Sequence, residues 1–297
     1  MNFKAYAQLA RPANLPTAAA DILAGAAIAG TFILNDQGKM GELQIDSLLL
    51  LVASSLFLYA AGVILNDVFD FKLDQIERPE RPIPSGMVSL RSAAIYGAIL
   101  LLLGILLAFL VNSLSGIVAL LLAVSILFYD AIAKQHSIFG PLNMGVCRGL
   151  NLLLGISILG TLPYWWFAFV PIVYIASITL ISRGEVHGNN KKHIIFAAVL
   201  YAVVILLVLG LLYLGDRNLG RVLPFLAIFA IAVFLPLFKA YRENSPENIK
   251  KAVVAGVLSV ILLDSAIAVG FSHWWIGVLM ILLLPLSLGL SRLFAVT

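Results

Sequence analysis

Apolar residues fall in long unbroken runs along this chain, with short polar joints between them. An α-helix rises 1.5 Å per residue, so about 20 apolar residues cross the hydrocarbon core of a bilayer. Ten segments qualify: 15–34, 46–65, 92–111, 115–133, 142–161, 164–182, 194–214, 222–241, 250–271 and 274–292. The last two are separated only by Ser272 and His273, so they form either a tight hairpin or one span followed by a surface-lying helix. The pattern predicts an all-α polytopic membrane bundle of nine or ten helices. The longest polar stretch runs only from Asn66 to about Arg91, so we expect a single transmembrane domain over 1–297.

Composition sharpens this. Of the 297 residues, 62% are hydrophobic and 11% charged, where a soluble domain carries about 25% charged residues; a soluble protein is excluded. The single cysteine, Cys147, rules out an intrachain disulfide and a Cys-based zinc site. The opening residues are too polar for the apolar core of a cleavable signal, so we expect the N-terminus to be retained. The net charge of +4 is explained by topology rather than by nucleic acid, because Lys and Arg concentrate in cytoplasmic loops. With the N-terminus inside, the inner segments hold 14 of the 19 basic residues, among them Arg11, Arg78, Arg81, Lys134, Arg183 and Lys251, while the outer loops hold only Lys39, Arg217 and Arg221.

The joint after the second span reads NDVFDFKLDQIERPERPIPSG. Asp67, Asp70 and Asp74 are three and four residues apart and share one helical face. Three carboxylates so close repel each other unless a cation neutralises them. Mg²⁺ takes carboxylate oxygens and keeps positions for substrate phosphate, Asn66 can add an amide contact, and Arg78 and Arg81 suit bidentate phosphate contact. The bland alternative is a solvated helix end whose acids pair with Lys72, Arg78 and Arg81. A chain with only 15 acidic residues in 297 has little reason to gather three of them at a membrane boundary for that.

The run Asn66, Asp67, Asp70, Asp74 resembles the NDxxDxxxD motif of the UbiA superfamily of intramembrane prenyltransferases, and RPERPIPSG resembles its continuation. Arg11, Pro12 and Asn14 look like the family's approach to its first helix, Tyr129 and Lys134 like its Tyr and Lys pair after the fourth, and Gly140–Gly149 like the opening of its fifth. The resemblance implies a UbiA-like bundle around a central cavity open sideways to lipid. It implies Mg²⁺ as cofactor, and a prenyl diphosphate and a hydrophobic acceptor as partners. Asp67, Asp70 and Lys134 would be catalytic. Asn14, Asn66, Arg78, Arg81, Tyr129, Asn143, Arg148 and Arg183 would bind diphosphate, and Asp67, Asp70, Asp74 and Glu185 would bind metal.

The family's second motif, DxxDxxGD, corresponds to Ser182–Asn189, where Gly188 fits, Glu185 stands for the middle Asp, and Ser182 and Asn189 replace the outer acids. One carboxylate where three are expected, with Arg183, Lys191 and Lys192 nearby, would bind a second Mg²⁺ weakly. His187 is read as a structural hydrogen-bonder. The run SRGEVHGNN is similar to the EboC-like branch of the superfamily, which makes a bacterial inner membrane the expected location, with both motif loops cytoplasmic.

Charged groups within spans are costly and face the bundle interior; here they are Asp21, Asp130, Arg148 and Asp264. Arg148 either meets the diphosphate or pairs with Asp130 or Asp21. Asp264 is read as structural, and the Trp and Tyr residues at 164–166 and 274–275 as an interfacial belt. The expected activity is transfer of an isoprenoid chain from a prenyl diphosphate to an aromatic or lipid-like acceptor. The rival is a membrane binding or transport protein that keeps the fold and one diphosphate-binding half without turnover.

Overall fold

The computed structural model describes residues 3–32, 44–182 and 191–294. Every regular element among them is helical: α1 (Phe3–Leu9), α2 (Leu15–Ile28), α3 (Ile45–Phe69), α4 (Phe71–Glu77), α5 (Leu90–Val111), α6 (Ser113–Ala131), α7 (Phe139–Ile156), α8 (Phe169–Ser182), α9 (Lys191–Leu214), α10 (Leu219–Arg242), α11 (Pro246–Phe271), α12 (Trp274–Ile281) and α13 (Leu283–Leu293), joined by a few short 3-10 turns. Nine helical segments among the described residues are long and apolar enough to cross a membrane, with α12 and α13 together forming the last. The first expected span, 15–34, contains α2, a shorter helix of 14 residues.

The segments at 250–271 and 274–292 are a tight hairpin. α11 ends at Phe271, α12 starts at Trp274 and packs back along it, and α13 continues to the opposite pole, where Ser287 Oγ donates to the carbonyl of Ala13. The helix breaks at Leu282 because Pro285, four residues after Ile281, has no N–H and its ring clashes with the Ile281 carbonyl.

Helices adjacent in sequence pack side by side from α5 to α11, and α2 closes the arrangement by packing on α3, α7 and α11. α2 and α11 are the most enclosed. α2 buries twelve of its fourteen residues, and Ala-rich helices can approach their neighbours this closely without large side chains in the way. α5 turns most of its Leu and Ile residues outward, and α9 exposes Ile195, Phe196, Val199, Leu206 and Leu214, as expected where lipid is the solvent. At the α2–α7 crossing the fit is backbone to backbone: a Cβ on Gly25 would lie 2.5 Å from the Leu152 carbonyl oxygen, and one on Gly155 2.6 Å from that of Ile22. Only glycine permits that distance, and it fixes where α7 stands relative to α2.

Candidate functional site

The helical hydrogen-bond ladder runs straight through the α3–α4 junction, from Asp70 N–H to Asn66 carbonyl (2.9 Å) and from Asp74 N–H to Asp70 carbonyl (2.8 Å). Asp67, Asp70 and Asp74 therefore keep one face. Three cations from different segments converge on them. Arg11 Nη2 lies 2.5 Å from Asp67 Oδ1; Arg81 Nη1 bridges Asp74 Oδ2 (2.7 Å) and Asp67 Oδ1 (3.2 Å); Lys134 Nζ lies 2.6 Å from Asp70 Oδ1. Asp67 and Asp74 are buried, so the pairs are largely shielded from water and from salt screening.

Each cation is delivered by a local device. Arg11 occupies the corner between α1 and the 3-10 turn Pro12–Asn14 with φ 45° and ψ 63°, a left-handed conformation that is uncommon for a non-glycine residue and tends to persist at functional positions. Arg81 begins the Pro82–Gly86 turn, which is anchored by Ile83 and Val88 packing on Leu9, Ala60 and Ile64. Lys134 sits in the 3-10 turn Ala133–Gln135, where α6 ends before α7 begins.

Behind the acids lies a cavity of about 580 Å³ between α2, α3, α6, α7, α8 and α11, within the range of small-molecule sites. Its walls are mostly aliphatic, from Leu58, Val63, Leu122, Ile126, Ile175 and Val260. Arg11, Asn66, Arg78, Tyr129 and Asp130 line it on the side of the acidic cluster; Thr17, Ser55, Arg148 and Asn151 line its floor. Ser55 precedes Asn66 by eleven residues on α3, so mouth and floor are about 16 Å apart along that helix.

The floor is a polar network built on one ion pair. Arg148 Nε lies 2.7 Å from Asp21 Oδ2, and Arg148 Nη2 donates to the Thr17 carbonyl. Asn151 Nδ2 donates to Asp21 Oδ2 (2.8 Å) and to the Ala18 carbonyl (3.0 Å), and Ser55 Oγ donates to Asn151 Oδ1 (2.7 Å). Asp264 meets Asp21 from α11, carboxyl to carboxyl.

The structure thus gathers Asn66, Asp67, Asp70, Asp74, Arg81 and Lys134 at one pole, with Tyr129 and the exposed Arg78 on the adjoining wall. Asn14 caps α2 three residues from Arg11. Two other residues stand apart. Asn143 spends its amide on α6, donating to the Ser125 carbonyl (2.8 Å) and accepting from Ser125 Oγ (3.1 Å). Arg148 has Asp21, not Asp130, as its acidic partner. Asp130 instead accepts from Asn66 Nδ2 at 2.8 Å. Arg183, Glu185 and His187 lie outside the described residues; Ser182 is described, lines the cavity and donates to the Thr179 carbonyl at 2.9 Å. Sequence reasoning did not foresee Arg11 as the nearest partner of Asp67, although Arg11 had been marked by the resemblance.

The profile of the UbiA prenyltransferase family matches residues 22–260. Among curated proteins, the chain is 37% identical over 157 residues to digeranylgeranylglyceryl phosphate synthase of Methanococcoides burtonii, covering 53% of this chain and 56% of that one. It is 30% identical over 181 residues to the protein of the same name from Saccharolobus solfataricus, covering 61% of each. The chain spans about half the length of the curated relatives it matches. Among solved structures, one described as a digeranylgeranylglyceryl phosphate synthase superposes with TM-score 0.67 at 25% identity, covering 90% of this chain and 98% of that one. A UbiA homologue from Archaeoglobus fulgidus bound to GPP and Mg²⁺ superposes with TM-score 0.68 at 15% identity, covering 89% and 99%. The chain belongs to the UbiA prenyltransferase family and is an integral, multi-pass membrane protein.

Proposed function

We propose that the protein is an intramembrane prenyltransferase that moves an isoprenoid chain from a prenyl diphosphate to a lipid-like acceptor. One observation carries the reading: three carboxylates and three cations meet at the mouth of an aliphatic cavity buried among membrane helices. The carboxylates are hard oxygen donors and suit Mg²⁺ by type. Asp67, Asp70 and Asp74 would hold it, with Glu185 contributing from the other loop, and the ion would supply positive charge against the diphosphate oxygens.

The chain's own cations do the rest. Lys134 and Arg81, now spent on Asp70 and on Asp74 and Asp67, would turn to the diphosphate if the acids gained another counter-charge; Asn66, Arg78 and Tyr129 line the cavity beside them and would share in holding it, with Asn14 as a further candidate. They would stabilise the charge that develops on the leaving group as the allylic C–O bond breaks. The aliphatic wall from Leu58 to Val260 excludes water from the allylic cation and houses the isoprenoid tail. The relatives' name points to a glyceryl phosphate carrying two geranylgeranyl groups, so we take the acceptor to be a prenylated glyceryl phosphate rather than an aromatic ring. Those relatives are archaeal and give the expected bacterial inner membrane no support; the reading keeps only a cell membrane, with the acidic pole on the cytoplasmic side as the loop charges require.

A second reading, a prenyl-diphosphate binder without turnover, draws on Ser182 and Asn189 standing where acids are expected. Protein in nanodiscs separates the two. Binding of a geranylgeranyl diphosphate analogue is measured with and without Mg²⁺, and transfer from geranylgeranyl diphosphate to geranylgeranylglyceryl phosphate is measured in parallel. We expect Mg²⁺-dependent binding and transfer, both lost in Asp67→Ala, and tighter binding in Ser182→Asp. Binding without transfer favours the second reading, and Asp67→Ala with unchanged turnover refutes the first.

A further inference from the structure

Asp67, Asp70 and Asp74 each have a cation, but the fourth acid at this pole has none of its own. Asp130 is 3% exposed. Its Oδ1 accepts a hydrogen bond from Asn66 Nδ2 at 2.8 Å, while its Oδ2 is buried and has no hydrogen-bond partner among the described residues. Lys134, one turn further along the chain, is committed to Asp70 at 2.6 Å. Among the described residues Asp130 is also the only acid that lines the cavity. A buried carboxylate oxygen left without a donor loses its hydration with nothing in return. Asp21 Oδ1 and Asp264 Oδ2 are buried in the same way, but of these three acids only Asp130 lines the cavity, where a ligand can bring the donor.

Position limits what that donor can be. The bond to Asn66 ties the Asp130 carboxyl to the residue next to Asp67, hence next to the leaving diphosphate in the prenyl-transfer reading, on which this inference rests. A group that reacts at the allylic carbon must approach from the cavity side, where Ser182 is spent on Thr179 and Cys147 on Ser125 Oγ at 3.3 Å, and where Asp130 is the one carboxylate among the described lining residues.

We propose that Asp130 is the acceptor-side catalytic residue, whose free oxygen receives the hydrogen bond of the acceptor hydroxyl and takes its proton. In that step the acceptor oxygen forms a bond to the allylic carbon, and the allylic C–O bond breaks with its electron pair leaving on diphosphate. The acceptor O–H bond breaks with its proton passing to Asp130 Oδ2. Asn66 occupies Oδ1, which leaves Oδ2, covered in this structure, as the oxygen that a turn of the carboxyl about that bond would bring to the acceptor. The same placement makes the acceptor a hydroxyl or another group that carries a transferable proton, not an isolated alkene.

The test uses full-length protein in nanodiscs with Mg²⁺, geranylgeranyl diphosphate and geranylgeranylglyceryl phosphate, and compares wild type with Asp130→Asn, Asp130→Glu and Asp130→Ala. Asp130→Asn keeps an oxygen for Asn66 and removes the basic one. We expect its kcat for transfer to fall about 10²- to 10⁴-fold, the usual size of a general-base contribution. Its affinity for a non-reactive geranylgeranyl diphosphate analogue should stay within twofold of wild type, which also certifies that it is folded. Asp130→Glu should recover part of the rate that Asp130→Ala loses. Transfer within threefold of wild type in Asp130→Asn would mean that the carboxyl only positions Asn66, and would overturn the proposal. Parallel loss of analogue binding would overturn it too, by making Asp130 part of the diphosphate site. If wild type binds the analogue with Mg²⁺ but Asp130→Asn transfers normally, the inference fails alone; if wild type neither binds nor transfers, the parent reading fails with it.

Discussion

Replacing Arg148 with methionine tests whether the cavity floor is a clamp. Met keeps most of the aliphatic volume of the Arg stem and removes the guanidinium, so the packing against α2 changes little and the charge changes completely. Asp21 is fully buried and Arg148 is 9% exposed. The loss therefore leaves a carboxylate deep in the bundle with Asn151 and the carboxyl of Asp264 as its remaining neighbours. Removing one partner of a buried ion pair costs about 3 to 5 kcal/mol, chiefly because the other charge is stranded. Neutral hydrogen bonds between membrane helices are worth much less, averaging about 0.6 kcal/mol, so the charge supplies most of the expected effect. We expect Arg148→Met to lower the free energy of unfolding by at least 3 kcal/mol, about 150-fold in the equilibrium constant, followed by tryptophan fluorescence and circular dichroism during SDS titration in mixed micelles. Adding Asp21→Asn to Arg148→Met should recover about 2 kcal/mol, since the stranded charge is gone. A loss below 1 kcal/mol, or two single losses that simply add, would show that the pair at 2.7 Å does not hold α2 to α7.

The same crossing gives a steric prediction. In Gly155→Ala the new Cβ would meet the Ile22 carbonyl oxygen at 2.6 Å and Ile22 Cα at 2.8 Å, backbone atoms that cannot swing aside. Stability should fall by about 1 to 3 kcal/mol, whereas Gly210→Ala in α9, where nothing lies within 4 Å, should be neutral or stabilising by up to about 1 kcal/mol; equal effects at the two sites in the same SDS titration would remove the argument. Orientation is read by labelling single cysteines in a Cys147→Ser background. Ile76→Cys in α4 and Leu214→Cys at the end of α9, both at strongly exposed positions, should react with an impermeant maleimide from opposite sides of the membrane, position 76 from the cytoplasm. Labelling of position 76 on intact cells would invert the topology.

The helices and the acidic pole could be read from sequence because both are local. Twenty apolar residues have one solution in a bilayer, and a spacing of three and four residues puts Asp67, Asp70 and Asp74 on one face whatever surrounds them. The partner of Arg148 could not be read, because Asp21 and Asp130 were equally plausible along the chain. The choice was made by the Gly25–Gly155 contact, which brings α2 against α7 at a depth no periodicity encodes. The contacts of Asn143 are hidden from the sequence for a related reason: its amide is turned onto Ser125 across the α6–α7 interface, a pairing that no spacing encodes. The break in the last span follows from Pro285, which counts as apolar in a hydropathy run yet cannot continue a helix.

Six of the fifteen acidic residues belong to two groups, Asp67, Asp70, Asp74 and Asp130 at the mouth and Asp21 and Asp264 at the floor, and their hydrogen bonding separates their roles. At the floor Arg148 is spent on Asp21 and Thr17, and Asn151 on Asp21, Ala18 and Ser55, while Asp21 Oδ1 and Asp264 Oδ2 stay buried without a donor and away from the cavity lining. Its one cation is committed to Asp21, and the value of the network lies in holding α2, α3, α7 and α11 at the depth that shapes the cavity. The mouth is built differently. Its cations come from three separate turns, each able to re-pair, and its fourth acid keeps an oxygen without a donor. Chemistry therefore belongs to the mouth and rigidity to the floor. Substitutions at the floor should lower stability before they alter turnover, and substitutions at the mouth should do the reverse.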